Sequence, residues 1–217
     1  MNTRLYKYPR TPHLPWSPGA TPDDIFVVDN NIFVSDDIYE HNYVVVTEKR
    51  DGECTTFYPD HIHARSIDSK DHESRHIVKA LHAQVRRGIP EGFRICGENL
   101  YAKHSIYYTD LISYFEVFSI WNDDMCLSWE ETVEWCIMLD LQPVPEMMRG
   151  SWTDILPKLK ELQLDLDKQE GYVVRTVNPF TYDSFHKNVA KFVRKGHVQT
   201  DKHWMYQKII PNKLRVT

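Results

Sequence analysis

The chain has 217 residues, 41% of them hydrophobic and 26% charged, with a formal net charge of -5. That length suits one large domain or two small ones with a substantial core, and the composition is that of a soluble globular protein. No apolar stretch approaches the roughly 20 residues needed to cross a bilayer, and Met1 to Arg10 lacks the apolar core of a signal peptide, so the expectation is a cytoplasmic protein with no membrane partner. Cys54, Cys96, Cys126 and Cys136 are scattered without a Cys-x-x-Cys pair, which argues against a zinc site or a disulfide framework and reads as reduced core residues. Net acidity speaks against a polyanionic partner. However, Lys187, Lys191, Arg194, Lys195, Lys202, Lys208, Lys213 and Arg215 crowd the last third, where they form either a basic face or ordinary solvated surface.

In chain order, residues 1–40 form an arm rich in proline and aromatics (Tyr6, Tyr8, Pro9, Pro12, Pro15, Trp16, Pro18, Pro22). So much proline resists helices and sheet ladders, so the arm is expected to lie extended over the domain, pinned by Trp16, as packing or as a flap over a substrate. Ile25 to Val28 and Ile32 to Val34, split by Asp29-Asn30-Asn31, resemble a hairpin. The β-branched run Tyr43-Val44-Val45-Val46 predicts a buried strand ending at Lys49, with Asp51-Gly52 as a turn into the partner strand Cys54 to Tyr58. A helical period follows over 71–87, closed by Gly88, then strands at 93–96 and 113–120. Ser128-Trp129-Glu130-Glu131 has capping-box spacing for a helix to Leu139. A shorter helix covers 152–162, and strands return at 171–175 and 189–193. Strands with helices inserted between them predict an α+β domain.

Several clusters complement a lysine at a strand mouth, whose ammonium pKa would be lowered by partial burial or a neighbouring cation to make a nucleophile. Arg65-Ser66 can bind phosphate oxygens or join a surface salt bridge. Glu98, after Arg94-Ile95-Cys96, can accept from ribose hydroxyls, or be a plain loop residue. The aromatics of Phe115-Glu116-Val117-Phe118 can pack a core or lie against a purine. Glu170-Gly171 leads into a buried strand, with Lys191 and Arg194 on or beside the next. This set suits a divalent metal and a triphosphate. His61-x-His63 has no second ligand pair and does not suggest structural zinc.

Taken in order, Lys49-x-Asp51-Gly52, Arg65-Ser66, Gly97-Glu98, Phe115-Glu116-Val117-Phe118, Glu170-Gly171 and Lys191 resemble the motif set of the covalent nucleotidyltransferases, which include polynucleotide ligases and messenger-RNA capping enzymes. The text from Arg94 to Ile106, and His197-Val198-Gln199-Thr200, resembles the ATP-dependent RNA ligases more than DNA ligases, and the likeness spans about residues 5 to 215.

The resemblance implies the ligase adenylation fold, with antiparallel sheets flanked by helices. Lys49 would attack the α-phosphate of ATP to form lysine-AMP, in a nucleotide-binding motif completed by Asp51 and Gly52. Glu48 would offer its backbone to the adenine edge. Arg65 would sit near phosphate or ribose, Glu98 would hold the ribose and Phe118 would stack on adenine. Glu170 would lie near a Mg2+ or Mn2+ ion and the lysine, acting on the metal through water, and Lys191 would hold the α-phosphate. AMP would then pass to RNA with a 5′-phosphate end, which is sealed to a 3′-hydroxyl. The likeness further implies one nucleotidyltransferase domain over 1–217, a monomer, with too little chain after Lys191 for an appended oligonucleotide-binding barrel.

Two positions depart from the family pattern. Ser119 replaces the acid that often follows the stacking aromatic, and Lys191-Phe192-Val193-Arg194 replaces two lysines one residue apart, which makes Arg194 a candidate phosphate contact. A DNA-joining or capping-type nucleotidyltransferase and a non-catalytic nucleic-acid-binding module of the same fold are the alternatives.

Overall fold

In the computed structural model, which describes residues 4–27, 32–33, 42–196 and 208–216, the valine run forms β1 (Tyr43–Lys49). Val44, Val45 and Val46 are fully buried, and the period-two alternation of a strand divides them between two cores. Val44 and Val46 pack with Leu14, Ile155, Tyr172 and Val174, whereas Val45 packs with Trp129 and Val144. A strand buried on both faces needs a hydrogen-bonded neighbour along each edge. β8 (Glu146–Ser151) and β9 (Gly171–Thr176) supply them, both antiparallel, and β11 (Val189–Val193) extends the sheet beyond β9. The helix α3 (Trp152–Glu161) sends Ile155 and Leu159 into the first of these cores.

The second sheet runs β10 (Phe180–Thr181), β6 (Met125–Cys126), β5 (Phe115–Asn122), β4 (Phe93–Asn99), β2 (Glu53–Phe57), β3 (Ile62–Ala64), with β7 (Gln142–Pro143) pairing parallel to β5. Its core gathers Phe57, Ile95, Phe115 and Val117 with Val78 and Val85 of α1 (His76–Val85) and Cys136 of α2 (Trp129–Met138). The expected capping box opens α2: the Ser128 hydroxyl accepts from the Glu131 amide at 3.1 Å, and the Glu131 carboxylate accepts from the Ser128 amide at 2.9 Å. α4 (Phe185–Asn188) is a single turn before β11. The architecture is mixed α+β on antiparallel sheets, as the sequence predicts.

Two expectations change, and a third falls partly outside the described residues. The Asp51-Gly52 turn does not close a hairpin. β1 pairs only within the first sheet, whereas β2 pairs with β3 and β4 in the second, so the chain crosses from one sheet to the other at this turn. β4 runs to Asn99, which places Glu98 inside a strand, opposite Cys54 and Glu116. The hairpin over 25–34 falls largely outside the described residues, and among those described Phe26 makes a single parallel bridge to His13. Lys202 and His197 to Thr200 also fall outside them.

The proline-rich arm touches both sheets. On the second, the Tyr6 amide donates to the Tyr58 hydroxyl at 2.9 Å, the Tyr182 hydroxyl donates to the Lys7 carbonyl at 2.6 Å, and Tyr8 meets Phe118 edge-on. On the first, the Lys191 amide donates to Pro12, and the amides of Leu14 and Gly19 donate to Lys191 and Val193, all within 2.8 to 2.9 Å. Trp16 pins it, as expected, by donating to the Tyr172 hydroxyl at 2.9 Å.

Gly171 lies where β11 comes closest to β9, and a Cβ there would sit 1.9 Å from the Phe192 carbonyl oxygen. Gly171→Ala should lower stability by about 1 to 3 kcal/mol or more, because the obstacle is backbone. At Gly150 a Cβ meets only Ile155 at 3.5 Å, so Gly150→Ala should be tolerated. Thermal unfolding of the two variants checks the contrast.

Candidate functional site

The sheets enclose a cavity of about 720 Å³ lined from both sides. Thr47, Glu48 and Lys49 reach it from β1, Val173 and Arg175 from β9, and Val189 and Lys191 from β11. The second sheet contributes Cys54, Glu98, Phe118, Ser119 and Phe180, the turn contributes Gly52, and the arm closes one side with Tyr8, Pro9, Arg10 and Thr11. One part is apolar, with Phe118, Val144, Val173, Phe180 and Val189. Elsewhere the lining carries Lys49, Glu48, Glu98, Arg65 and Lys191.

Lys49 ends β1 opposite Gly171, and this register brings the preceding residue, Glu170, against it. The Lys49 ammonium pairs directly with the Glu170 carboxylate, and both side chains are largely buried. Burial alone would lower the Lys49 pKa, but the carboxylates of Glu170, Glu98 and Asp51 outweigh it and hold it above the ordinary lysine value. The sequence-based expectation of a pKa lowered by partial burial or a neighbouring cation is therefore corrected: three acids converge on Lys49 and outweigh its burial. Lys191 shows the reverse, lowered first by burial and then by the charge of Lys49.

Glu98 accepts from the Gly52 amide at 3.1 Å. Burial raises its pKa to about 8; Lys49 opposes the shift, whereas Glu170 and Asp51 add to it. Glu48 is bound to Arg50, whose Nη1 donates at 2.6 Å. The same guanidinium forks onto the buried Glu116 at 2.6 and 3.2 Å. Phe115 is fully buried and stacks on Phe57, so Phe118 is the aromatic of that strand that faces the cavity. Arg65 is exposed at the rim and, among the described residues, neither it nor Lys191 forms a salt bridge.

Three residues picked from the sequence lie behind the lining rather than in it. Glu170 reaches the cavity only through Lys49. Asp51 is buried, and its Oδ2 accepts from the Ser105 amide, the Ser105 hydroxyl and the Ile106 amide at 2.7 to 2.8 Å, so its carboxylate is occupied by protein. Arg194 is buried, with Nη2 3.4 Å from the Ser105 hydroxyl and Nε unpartnered.

Sequence reasoning missed Arg50 and Glu116 as partners, as well as Tyr8, Tyr108 and the buried pair Arg75 and Glu53, where Arg75 Nε and Nη2 donate at 2.6 and 2.5 Å. Arg50 and Glu116 fall inside quoted motifs and Glu53 directly after one, so their place in the motifs was the available signal. Tyr108 had none. Among the described residues no three His, Cys, Asp or Glu side chains converge on a metal position. The donor set still fits a magnesium-type ion, which takes one or two carboxylates and completes its shell with water and phosphate oxygens.

The RNA ligase family model matches residues 42–193, the stretch that holds the paired lysine, both flanking acids and the cavity aromatic. The chain belongs to the RNA ligase family. None of the curated proteins matches it significantly. An archaeal ATP-dependent RNA ligase has a similar fold, with a TM-score of 0.56 at 15% identity over 88% of this chain and 48% of its own. A Naegleria gruberi RNA ligase mutant with ATP and Mn gives 0.51 at 16% identity over 70% of this chain and 49% of its own. The Naegleria gruberi enzyme with PPi gives 0.51 at 20% identity over the same shares. This RNA ligase family member spans about half the length of those proteins, and at such identities the likeness concerns the fold alone.

Because the folded pKa of Glu98 stands above the ordinary 4.5, its contribution to stability is full below 4.5 and is lost as pH rises through about 8. Glu98→Gln should remove that loss. The melting temperature of the variant relative to the parent should rise between pH ~5 and ~9, and a constant difference would refute the assignment.

Proposed function

We propose that this chain carries out ATP-dependent RNA ligation through a covalent Lys49-AMP intermediate. The observation that carries the reading is the placement of Lys49: a largely buried amine at a strand end, held by Glu170 and opening on a cavity lined by apolar side chains and by charged ones of both signs, Lys191 and Arg65 among them. The apolar part suits a flat base, with Phe118 available to stack on adenine and the β1 backbone at Glu48 available to its edge. Glu98 stands between base and phosphate as a partner for ribose hydroxyls. Lys191 and the exposed Arg65 face the phosphates.

In the first step the Lys49 nitrogen gives up a proton and attacks the α-phosphorus. The N–P bond forms as the P–O bond to pyrophosphate breaks. Glu170 orients the amine and, as its nearest base, can take the proton. Lys191, with its lowered pKa, donates to the non-bridging oxygens of the α-phosphate. Glu170 would hold a divalent ion through water, and that ion would supply charge neutralisation when bound. In the next steps the AMP moves from Lys49 to a 5′-phosphate of RNA, and a 3′-hydroxyl attacks that phosphate and releases AMP. Placement and charge neutralisation account for most of such chemistry, and both are functions of residues that two sheets hold in fixed register.

Incubation with α-labelled ATP and Mg2+ or Mn2+ should give a covalent label that survives denaturing electrophoresis and alkali but is lost in hot acid, as a lysine P–N bond requires, and that Lys49→Ala abolishes and Glu170→Gln reduces by on the order of 100-fold. With 5′-phosphate RNA and a 3′-hydroxyl partner, the label should leave the protein onto the 5′-phosphate end and then as free AMP, while the RNA strands become joined without label. No label with either metal, or equal label on Lys49→Ala, would refute the reading. Label without RNA joining, but with joining of nicked DNA, would move it to the DNA-joining alternative.

A further inference from the structure

The segment 208–216 lies beyond the family-model match at 42–193, and none of its residues lines the cavity. It is nevertheless tied to the turn that carries Lys49. Asn212 is buried, and every polar group it has is engaged with the loop 100–114. Its Oδ1 accepts from the Tyr108 amide at 3.0 Å, its Nδ2 donates to the Leu100 carbonyl at 2.8 Å, its amide donates to Tyr101 at 2.8 Å, and its carbonyl accepts from the Tyr114 hydroxyl at 3.0 Å. That loop in turn grips Asp51 at both ends. The Tyr108 hydroxyl accepts from the Asp51 amide at 3.0 Å, and Ser105 and Ile106 supply the three donors to its carboxylate.

We infer that Asn212 and Tyr108 are positioning residues for Lys49, through which the segment 208–216 sets the direction of the nucleophilic amine. The inference rests on the reading of Lys49 as nucleophile. β1 loses its ladder at Lys49, and the three residues that cross to the second sheet are paired with no strand. Their direction therefore depends on side-chain anchors, and the Asp51 anchor belongs entirely to the loop that Asn212 holds. Phe118, proposed to take the base, sits on a separate strand, and Glu98, proposed to take the ribose, is fixed in β4 and meets this turn at the Gly52 amide rather than at Asp51. Loosening the Asp51 anchor should therefore misalign the amine while leaving nucleotide affinity in place, a loss in rate rather than in binding.

Three measurements on the full chain test this. Asn212→Ala and Tyr108→Phe should each slow Lys49-AMP formation by on the order of 10- to 100-fold with ATP affinity little changed, and Lys213→Ala, an exposed side chain in the same segment, should not. The double variant should be about as slow as the slower single, because both act through one path; fully additive losses would overturn the inference. Amide hydrogen exchange at Asp51 should quicken in Asn212→Ala, and unchanged exchange there would overturn it too. If Asn212→Ala does not fold, Tyr108→Phe keeps the ring in place and breaks only the hydroxyl link, so it decides alone. If the parent protein takes no label, the ligase reading fails, and exchange at Asp51 still decides whether Asn212 holds the turn.

Discussion

An ammonium ion set among three acidic side chains, all partly or wholly withdrawn from water, is the interaction from which the rest of the site follows. Burial works against the charge on Lys49, and Glu170, Glu98 and Asp51 more than offset it. None of the three acids is near the lysine by accident of surface. Glu170 immediately precedes the strand paired with β1, Glu98 comes from the opposite sheet, and Asp51 from the turn between the sheets. The site therefore holds a protonated lysine, and in the proposed ligation a substrate that brings its own negative charge and cations would have to rearrange this balance before the amine could react.

That convergence needs the chain to change sheets within three residues. Gly52 allows it, since a Cβ there would lie 2.4 Å from the Asn99 carbonyl oxygen. Arg50, just before it, is held by Glu48 and Glu116 and lies 5.2 Å over the Tyr108 ring. The turn is thus clamped by a buried ion network on one side and by the 100–114 loop on the other. Such a network is weak evidence of stability but good evidence that one geometry is selected.

Much of the architecture could be read from residue patterns. The valine run, the helical period before Gly88 and the Ser128 capping box each found their element, because each is a local pattern with a local cause. The partner of β1 could not be read, since Asp-Gly after a strand signals a hairpin just as well as a crossing. β8 escaped for a simpler reason: Glu-Met-Met-Arg-Gly-Ser has no β-branched residue, and it is a strand only because β1 has an open edge to fill. Of the residues picked for the site, Lys49, Glu48, Gly52, Glu98, Phe118, Arg65 and Lys191 share the cavity. Asp51 shows where motif spacing stops being informative. Its position next to the lysine is visible in the sequence, but the direction of its carboxylate is decided by a loop more than fifty residues away. The sign of the Lys49 shift was hidden for the same reason, being a sum over charges from three separate elements.

The arm has a mechanical meaning as well as a packing one. Tyr6, Lys7 and Tyr8 are fastened to one sheet and Pro12, Leu14 and Gly19 to the other, which leaves only Pro9, Arg10 and Thr11 to span the gap. Three residues cover at most ~3.3 to 3.6 Å each, and the prolines on either side remove most of their slack. A tether this short acts as a stop: while its anchors hold, the sheets cannot part along that edge by more than its contour length. The width of the cavity there is set by covalent reach rather than by weak contacts.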